Sequence, residues 1–536
     1  MSADKQLDME CEDAININKE NLKKILNDNQ NTAFGKKYNF SQIKTLQEYC
    51  RNIPLSGYPD FQVYIEEMWE GKENLLTAYP LKGFCITSGT EGKAKYIPIT
   101  CETLLRYSDY LERYKKRIVG ESEQGKRLFV NIFRTDLEQE QEMGLLCSEV
   151  FYRWFYEKGE LDTEQFAGGK ELLFDSKTAD GLYAKVWSGI LTDGLVLLES
   201  VFQYDVLNFF NYFEKHWEEI IRNIENREIP NDKKLSENIK KRLLSFESDP
   251  GRLHFVEQEC KKGFDGIAKR LWPKLRLISG ISNRAFFAED TALKKYTGDI
   301  PRHYFCYCSS ECYMGTPAGE NSFDFVLLPN NAFYEFLPYS EIDDVTETVL
   351  PHECEPGKLY EIVFTNFSGL YRYRMGDVLL MKGFRKESPV FEFAFRRNQA
   401  LNIAGEKMSI RQLEKAVQEM EAYSVWIEEY CFSISLEQMP AKYLAVFVLK
   451  EKTKENTTLA KIEDILDAGL SDVNRDYMDL RNLGYLDKPV VYLVSRAGYR
   501  KIMESFRKEH RHNKPLHILP EGISKVLLER SAYEAK

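Results

Sequence analysis

The sequence lacks long apolar runs and has little glycine or proline, and each shortage excludes a class of protein. The longest apolar runs are short, for example residues 443–449 and 490–494, whereas a membrane-spanning helix needs about 20 apolar residues. The 536 residues include only 31 glycines and 18 prolines, which excludes collagen-like and low-complexity chains. We therefore expect neither a membrane-spanning protein nor a repetitive one.

An excess of positive charge is also missing. The chain has 73 lysines and arginines against 84 aspartates and glutamates, a net charge of −11. A general nucleic-acid binder needs a basic surface that displaces counterions from phosphates. We therefore expect no nucleic-acid partner, although a local phosphate site remains compatible with this balance.

Two further features bear on location. Residues 1–14 are acidic and polar and lack the basic and apolar segments of a secretory signal. The 11 cysteines are odd in number and scattered, which favours reduced thiols over a disulfide framework. We expect a cytoplasmic protein, with a monomer favoured.

What is present indicates a folded protein of several domains. Hydrophobic residues make up 43% of the chain and aromatic residues 13%, enough for sizeable cores. Segments with strand and helix patterns alternate, which predicts an α/β body followed by a smaller α+β domain after a polar break at residues 395–398. Residues 101–119 and 459–479 each read as one helix, and the Pro- and Gly-bearing residues 54–61 read as extended.

The first candidate site is the loop TSGTEGKAK at residues 87–95, which follows a short apolar strand. Its hydroxyls and free backbone N–H groups can bind phosphate oxygens, and Lys95 can add a positive charge. It is not a Walker P-loop, because Thr87 stands where that motif needs glycine. The alternative is an ordinary hydroxyl-rich turn.

The second candidate is YCSSE at residues 307–311. An aromatic ring such as Tyr307 can stack on a purine, the hydroxyl of Ser310 can reach a carboxylate or phosphate, and Glu311 can hold Mg²⁺ with its waters. The cysteines around this segment lack the spacing of a structural zinc site.

The third candidate is YRYRMGDV at residues 371–378, in which Asp377 precedes a predicted strand. A carboxylate in that position can accept both ribose hydroxyls, which distinguishes a nucleotide from other phosphates. The alternative is a structural turn in which Asp377 pairs with Arg372 or Arg374.

Together the three segments resemble the nucleotide-binding signatures of the adenylate-forming, firefly-luciferase-like superfamily, which makes acyl-adenylates from a carboxylic acid and ATP. Residues 307–338 and 364–397 in particular resemble the plant auxin-responsive Gretchen Hagen family of acyl acid amido synthetases. Weaker similarity extends to residues 216–230, to residues 270–281 and to the segment near Lys514. Short loops suggest a bacterial or other non-plant member.

The resemblance implies an α/β adenylate-forming fold, with a large N-terminal body at residues 1–396, a hinge at 397–398 and a small mobile α+β domain at 399–536. It implies ATP and Mg²⁺ as cofactors, with Glu311 as the metal ligand. It assigns the site residues as follows: Ser88, Gly89, Thr90 and Lys95 to the ATP phosphates, Tyr307 to adenine, Ser310 to phosphate, Asp377 to ribose, and Lys514 to a catalytic lysine of the C-terminal domain.

The implied reaction has two steps. A small carboxylic acid is activated as acyl-AMP, and the acyl group then passes to an amino acid or other amine to form an amide. No side-chain nucleophile is required, because the protein mainly aligns the reactants and neutralises charge. An acyl-CoA ligase and a non-catalytic nucleotide-binding protein are the alternatives. Lys514 lacks the arginine that follows it in plant members, so Lys407 and Lys525 remain alternatives for the closing lysine.

Overall fold

The structure, a computed structural model, describes residues 3–87, 95–119, 125–132, 147–175, 178–247, 249–281, 287–339, 346–397, 399–423, 425–435, 439–450, 458–500 and 502. These residues form two compact units. The first unit holds Met1–Thr87 and Lys95–Arg396, and the described residues from Arg397 onward belong to the second.

The helices of the first unit lie mostly before its antiparallel strands. They are α1 Ala3–Glu12, α2 Ala14–Asn29, α3 Ala33–Lys37, α4 Leu46–Asn52, α5 Tyr58–Trp69, α6 Cys101–Val119, α7 Cys147–Glu157, α8 Gly169–Leu173, α9 Gly181–Leu191, α10 Gln203–Glu225, α11 Glu237–Ser245, α12 Pro250–Lys261, α13 Ile267–Leu271 and α14 Phe287–Thr297. Within the described ranges, no helix is both long enough and apolar enough to cross a membrane. The helix predicted over residues 101–119 is observed as α6.

The strands of the first unit are β1 Leu81–Thr87, β2 Lys95–Thr100, β3 Lys126–Phe129, β4 Leu195–Phe202, β5 Leu277–Ile281, β6 Arg302–His303, β7 Tyr307–Cys308, β8 Tyr313–Pro317, β9 Asp324–Leu327, β10 Phe333–Pro338, β11 Leu359–Thr365, β12 Tyr373–Arg385 and β13 Ser388–Arg396. They form a parallel sheet in the order β3-β4-β5-β6, an antiparallel sheet in the order β10-β11-β12-β13-β9-β8-β7, and the hairpin β1-β2.

The extended stretch predicted over residues 54–61 is too long, because helix α5 begins at Tyr58. The Asp60 carboxylate accepts a hydrogen bond from the Gly57 N–H at 2.8 Å, and Pro59 occupies the first turn. Both features favour the start of a helix. As a result, Tyr58 enters the core at the head of α5.

The parallel sheet alternates with helices, as connections between parallel strands require. Its first two strands also share a buried ion pair, in which the Arg127 guanidinium donates to both carboxylate oxygens of Glu199. Strand β6 ends at His303, and β7 starts only four residues later at Tyr307. The carboxyl end of the parallel sheet therefore leads directly into the second candidate segment.

The antiparallel sheet contains the third candidate segment. Its strand β12 starts at Tyr373, so Asp377 lies within the strand. The prediction that Asp377 precedes the strand is therefore wrong. In the β12–β13 ladder Asp377 is opposite Arg396. The prediction erred because apolar character begins only after Asp377, whereas backbone pairing extends to the polar residues before it.

Helices α1–α5 cover this sheet. The ring of Tyr371 stacks on Phe34 with centroids 4.7 Å apart, and its hydroxyl donates to the Leu76 carbonyl oxygen at 2.7 Å. The hydroxyls of Tyr49 and Thr365 lie 2.6 Å apart. These contacts join the N-terminal helices to the segment that carries Asp377, so both belong to one core.

The second unit consists of β14 Gln399–Leu401, β15 Met408–Ser409, α15 Ile410–Glu419, β16 Ile427–Ser435, β17 Lys442–Leu449, α16 Leu459–Val473, α17 Arg475–Asn482 and β18 Val490–Leu493. The helix predicted over residues 459–479 is in fact two helices. Asn474 separates them, because its side chain accepts a hydrogen bond from the Tyr477 N–H at 3.0 Å and so caps α17.

Candidate functional site

The structure describes the two ends of the first candidate loop, Thr87 and Lys95. Lys95 opens β2 opposite Thr87, the last residue of β1. Its Nζ lies 5.5 Å from the ring centroid of Tyr58, and the Tyr58 hydroxyl accepts a hydrogen bond from the Tyr96 N–H at 3.0 Å. The predicted phosphate contacts Ser88, Gly89 and Thr90 lie outside the described residues.

Glu311 lies in the tight turn between β7 and β8. The Ser309 N–H donates to the Cys312 carbonyl oxygen at 2.9 Å, which closes the turn. The Asn366 side-chain amide donates to the Glu311 carbonyl oxygen at 2.8 Å. The backbone of Glu311 is thus held from both sides, and its side chain is 8% exposed.

The Glu311 carboxylate has a one-sided environment. The Tyr373 hydroxyl donates to Oε1 at 3.1 Å. In the part of the chain that the structure describes, no lysine or arginine forms an ion pair with this carboxylate and no group donates to Oε2. A buried carboxylate without a cation is costly unless a partner satisfies it, and a hard divalent cation that keeps several waters suits one such oxygen. Glu311 therefore fits the predicted metal ligand.

Ser310 occupies the same turn and is half-buried. Among the described residues its hydroxyl has no hydrogen-bond partner. It is therefore available for a ligand next to Glu311.

Asp377 is the best-buried carboxylate of the site, at 3% exposure. The Tyr307 hydroxyl donates to its Oδ2 at 2.7 Å, and the Arg396 Nε donates to its Oδ1. Tyr307 and Asp377, which the sequence placed in separate motifs, are therefore in direct contact. An ionised carboxylate has about four acceptor sites, so Asp377 can still accept two ribose hydroxyls.

The alternative pairing of Asp377 with Arg372 or Arg374 is wrong. Arg372 donates to both oxygens of Glu335, at 3.0 and 2.9 Å. Arg374 donates to both oxygens of Glu361, at 2.9 and 2.7 Å. Arg372 precedes strand β12, and the β11–β12 ladder has an irregularity between Glu361 and Val363, opposite the stretch from Arg374 to Val378.

Charges couple the two carboxylate sites. Burial disfavours the cationic form of Arg396, but Asp377 and Glu311 together raise the pKa of its guanidinium above the ordinary value. Burial and the neighbouring Asp377 raise the pKa of Tyr307 well above its usual value, and burial and Glu311 do the same for Tyr373. Both tyrosines therefore remain hydrogen-bond donors at neutral pH.

Tyr58 connects Lys95 to this group. Burial raises the pKa of the Tyr58 hydroxyl, and the charge of Glu311 adds a smaller contribution. Of the described motif residues, Lys95 therefore contacts Tyr58, whereas Glu311 and Asp377 both act on the charge of Arg396.

Sequence reasoning missed Arg396, Tyr373 and Tyr58 as members of this group. Arg396 could have been found, because the apolar residues 378–383 and 390–395 flank a polar turn, a pattern typical of a hairpin, and the two strands do pair in this way. Tyr58 gave no local signal, since it lies far from every motif.

The predicted lysine of the C-terminal domain, Lys514, lies outside the described residues, as does its alternative Lys525. Lys407 is described and follows Glu406, whose carboxylate accepts hydrogen bonds from the Ile403 and Ala404 N–H groups at 2.7 and 2.8 Å.

Solved structures show the fold of this chain. The GH3.15 acyl acid amido synthetase in complex with 2,4-DB has a TM-score of 0.66 and 22% identity, covering 98% of this chain and 95% of that one. A 2-hydroxyisobutyryl-CoA ligase in complex with 2-HIB-AMP and CoA has a TM-score of 0.51 and 12% identity, covering 96% and 91%. At these identities the likeness concerns the fold, which is that of the adenylate-forming enzymes, as expected.

The chain belongs to the GH3 family, whose N-terminal domain matches residues 3–302, whose central domain matches 325–396 and whose C-terminal domain matches 411–517. The resemblance to the Gretchen Hagen family is therefore confirmed.

Curated relatives agree with this assignment. The indole-3-acetic acid-amido synthetase GH3.8 of Oryza sativa subsp. indica is 27% identical over 80% of this chain and 75% of its own length. The jasmonoyl–L-amino acid synthetase GH3.5 of Oryza sativa subsp. japonica is 24% identical over 94% and 91%. The expected enzyme class is confirmed: this is an acyl acid amido synthetase, a ligase that forms an amide bond with the use of ATP.

Proposed function

We propose that the first unit carries out adenylation, with Asp377 and Tyr307 at the nucleoside end of ATP and Glu311, Ser310 and Lys95 at its phosphates. The observation that carries this proposal is the pair of buried carboxylates, Glu311 and Asp377, both of which stabilise the charge of Arg396. They come from separate segments of the chain, and each retains acceptor capacity that the fold does not use.

At the nucleoside end, Asp377 accepts the two ribose hydroxyls while Arg396 and Tyr307 hold its carboxylate in place. The hydroxyl of Tyr307 is tied to Asp377 at 2.7 Å. Its ring therefore lies beside the ribose position, where it can contact adenine.

At the phosphate end, an oxygen of the substrate carboxylate attacks the α-phosphorus, and the bond to the departing pyrophosphate breaks. Lys95, with Ser88, Gly89 and Thr90 of its loop, stabilises the negative charge that shifts onto the phosphate oxygens. Mg²⁺, when bound, would neutralise further charge on these oxygens. Glu311 would hold it through the oxygen that Tyr373 leaves open.

The second step transfers the acyl group. The amine attacks the carbonyl carbon of acyl-AMP, and AMP leaves. The names of the relatives indicate indole-3-acetic acid and a jasmonoyl–amino acid product. We accordingly propose a small carboxylic acid and an amino acid as the substrates of this chain.

Exchange of labelled pyrophosphate into ATP, measured with a panel of carboxylic acids, tests the first step. We expect exchange with at least one acid. Adding either an amino-acid mixture or CoA, followed by mass spectrometry, tests the second step. An amide product supports the proposal, whereas a thioester alone would favour an acyl-CoA ligase, and nucleotide binding without exchange would indicate a non-catalytic protein.

We also propose that residues 399–536 form a mobile domain that rotates about a hinge at 397–398 and supplies Lys514. Domain closure commonly completes a site and excludes water. Lys514→Ala should slow one half-reaction in single-turnover assays while leaving nucleotide affinity nearly intact. Asn398→Pro, which fixes φ at about −65°, should slow turnover more than it weakens binding. Wild-type rates in both variants would contradict the proposal and redirect attention to Lys407 or Lys525.

Cytoplasmic location and a monomeric state stay predictions from composition.

A further inference from the structure

One tyrosine of the third segment contacts the second segment. Tyr373 donates its hydroxyl hydrogen bond to Glu311 Oε1 at 3.1 Å, although 62 residues separate them. Its side chain is 2% exposed. The ring lies 5.5 Å from that of Phe364 and 6.2 Å from that of Phe61. The hydroxyl is therefore held in place by packing around the ring.

The backbone of Tyr373 is held as firmly as its ring. The Ser56 N–H donates to the Arg372 carbonyl oxygen at 3.0 Å, and the Arg374 N–H donates to the Ser56 carbonyl oxygen at 2.8 Å. The Arg372 guanidinium in turn forms a buried ion pair with Glu335. Tyr373 thus sits between two anchored residues, so its hydroxyl cannot move away from Glu311 without disturbing the sheet.

This arrangement has a consequence for the carboxylate. The terminal torsion of a glutamate is broad and has roughly two-fold symmetry, so an unsupported carboxylate could turn freely. A hydrogen bond to one oxygen fixes which oxygen remains available. Groups that orient a metal ligand in this way are often nearly as important as the ligand.

We propose that Tyr373 is a positioning residue for adenylation, which holds Glu311 so that Oε2 is presented to the divalent cation. This inference rests on the proposed function, because it takes Glu311 as the metal ligand. Tyr373 itself touches neither metal nor substrate, and it acts through Glu311.

The test is Tyr373→Phe, which removes only the hydroxyl from a buried ring. The matched control is Tyr371→Phe, because Tyr371 is equally buried, lies two residues away and donates to the Leu76 carbonyl oxygen at 2.7 Å. Calorimetry measures the affinity of the full-length protein for the α,β-methylene analogue of ATP, once with Mn²⁺ and once with EDTA. We expect Tyr373→Phe to weaken the affinity with Mn²⁺ about tenfold and to leave the affinity in EDTA unchanged.

We expect Tyr371→Phe to change neither affinity, although both variants should lower the melting temperature by similar amounts. In a Glu311→Gln background, Tyr373→Phe should cause no further loss of Mn²⁺-dependent binding. Equal affinities for Tyr373→Phe and wild type, or equal losses in the two tyrosine variants, would overturn the proposal.

Wild-type metal dependence in Glu311→Gln would also overturn it, but pyrophosphate exchange by the wild-type protein would then still support the proposed function. Absence of exchange with every acid would instead count against the proposed function itself.

Discussion

Glu335 and Glu311 are buried carboxylates at opposite edges of the same antiparallel sheet, and their surroundings are opposite. Glu335 is 1% exposed, and Arg372 donates to both of its oxygens. Glu311 is 8% exposed, and among the described residues its carboxylate accepts one hydrogen bond, from the neutral Tyr373 hydroxyl. The fold satisfies the charge and the acceptors of Glu335, whereas the described residues leave one oxygen of Glu311 without a donor, and we propose a metal ion for it.

The two partners are successive residues of the third segment. Arg372 lies just before strand β12 with a positive φ of 45°, and Tyr373 opens the strand. The two neighbouring side chains reach different carboxylates, Glu335 and Glu311. Asp377 is intermediate, because it pairs with the cation of Arg396 and also accepts a neutral hydrogen bond from Tyr307.

The largest expected effect on stability comes from breaking the buried ion pair between Arg372 and Glu335. Glu335→Gln leaves the Arg372 guanidinium buried without a charge partner, which costs about 3–5 kcal/mol of unfolding free energy. Urea unfolding of the first unit measures this loss. The KM for ATP of the folded fraction should not change. A loss of unfolding free energy below about 1 kcal/mol would show that this ion pair does not stabilise the sheet.

Glu311→Gln should instead lower activity strongly and stability little. Because a metal ion supplies several kcal/mol of transition-state stabilisation, we expect pyrophosphate exchange to fall at least about 100-fold. The melting temperature should change little, since among the described residues no lysine or arginine forms an ion pair with this carboxylate. Exchange near the wild-type rate at limiting Mg²⁺ would rule out Glu311 as the ligand.

Asp377→Ala tests the carboxylate whose surroundings are intermediate between those of Glu335 and Glu311. The loss of two charge-assisted hydrogen bonds, about 1.5–3 kcal/mol each, should raise the KM for ATP strongly. The melting temperature should also fall, because Arg396 loses its partner. Earlier melting with an unchanged KM, corrected for active fraction, would make Asp377 a purely structural residue.

The smallest effect is expected at Glu361, which pairs with Arg374 in the same bidentate way as Glu335 pairs with Arg372. The Arg374 side chain is 32% exposed, whereas that of Arg372 is 5% exposed. Water can therefore solvate the Arg374 guanidinium when its ion pair breaks. Glu361→Gln should cost about 1 kcal/mol of unfolding free energy. A loss as large as that of Glu335→Gln would mean that burial of the cation does not decide the strength of these pairs.

Much of the candidate site could be predicted because it lies in short segments. Lys95, Ser310, Glu311, Tyr307 and Asp377 were identified from motif residues whose chemistry suits a nucleotide. The bounds of α6 also followed from local pattern. The break between α16 and α17 at Asn474 did not follow from local pattern. The carboxamide of an asparagine competes with helix formation only where the chain turns, and the local pattern does not show that turn.

The sequence by itself determined the family to which the chain belongs and the motif residues that we propose for ATP binding, since both depend on side-chain types at close spacing. Only the tertiary structure decided how the charges pair. Asp377 meets Arg396 across a hairpin 19 residues away, not the arginines beside it, and Glu311 meets Tyr373 from 62 residues away. Strand register and burial select these partners, because a hydrogen bond between distant residues forms only where the packed sheet brings donor and acceptor within about 3 Å.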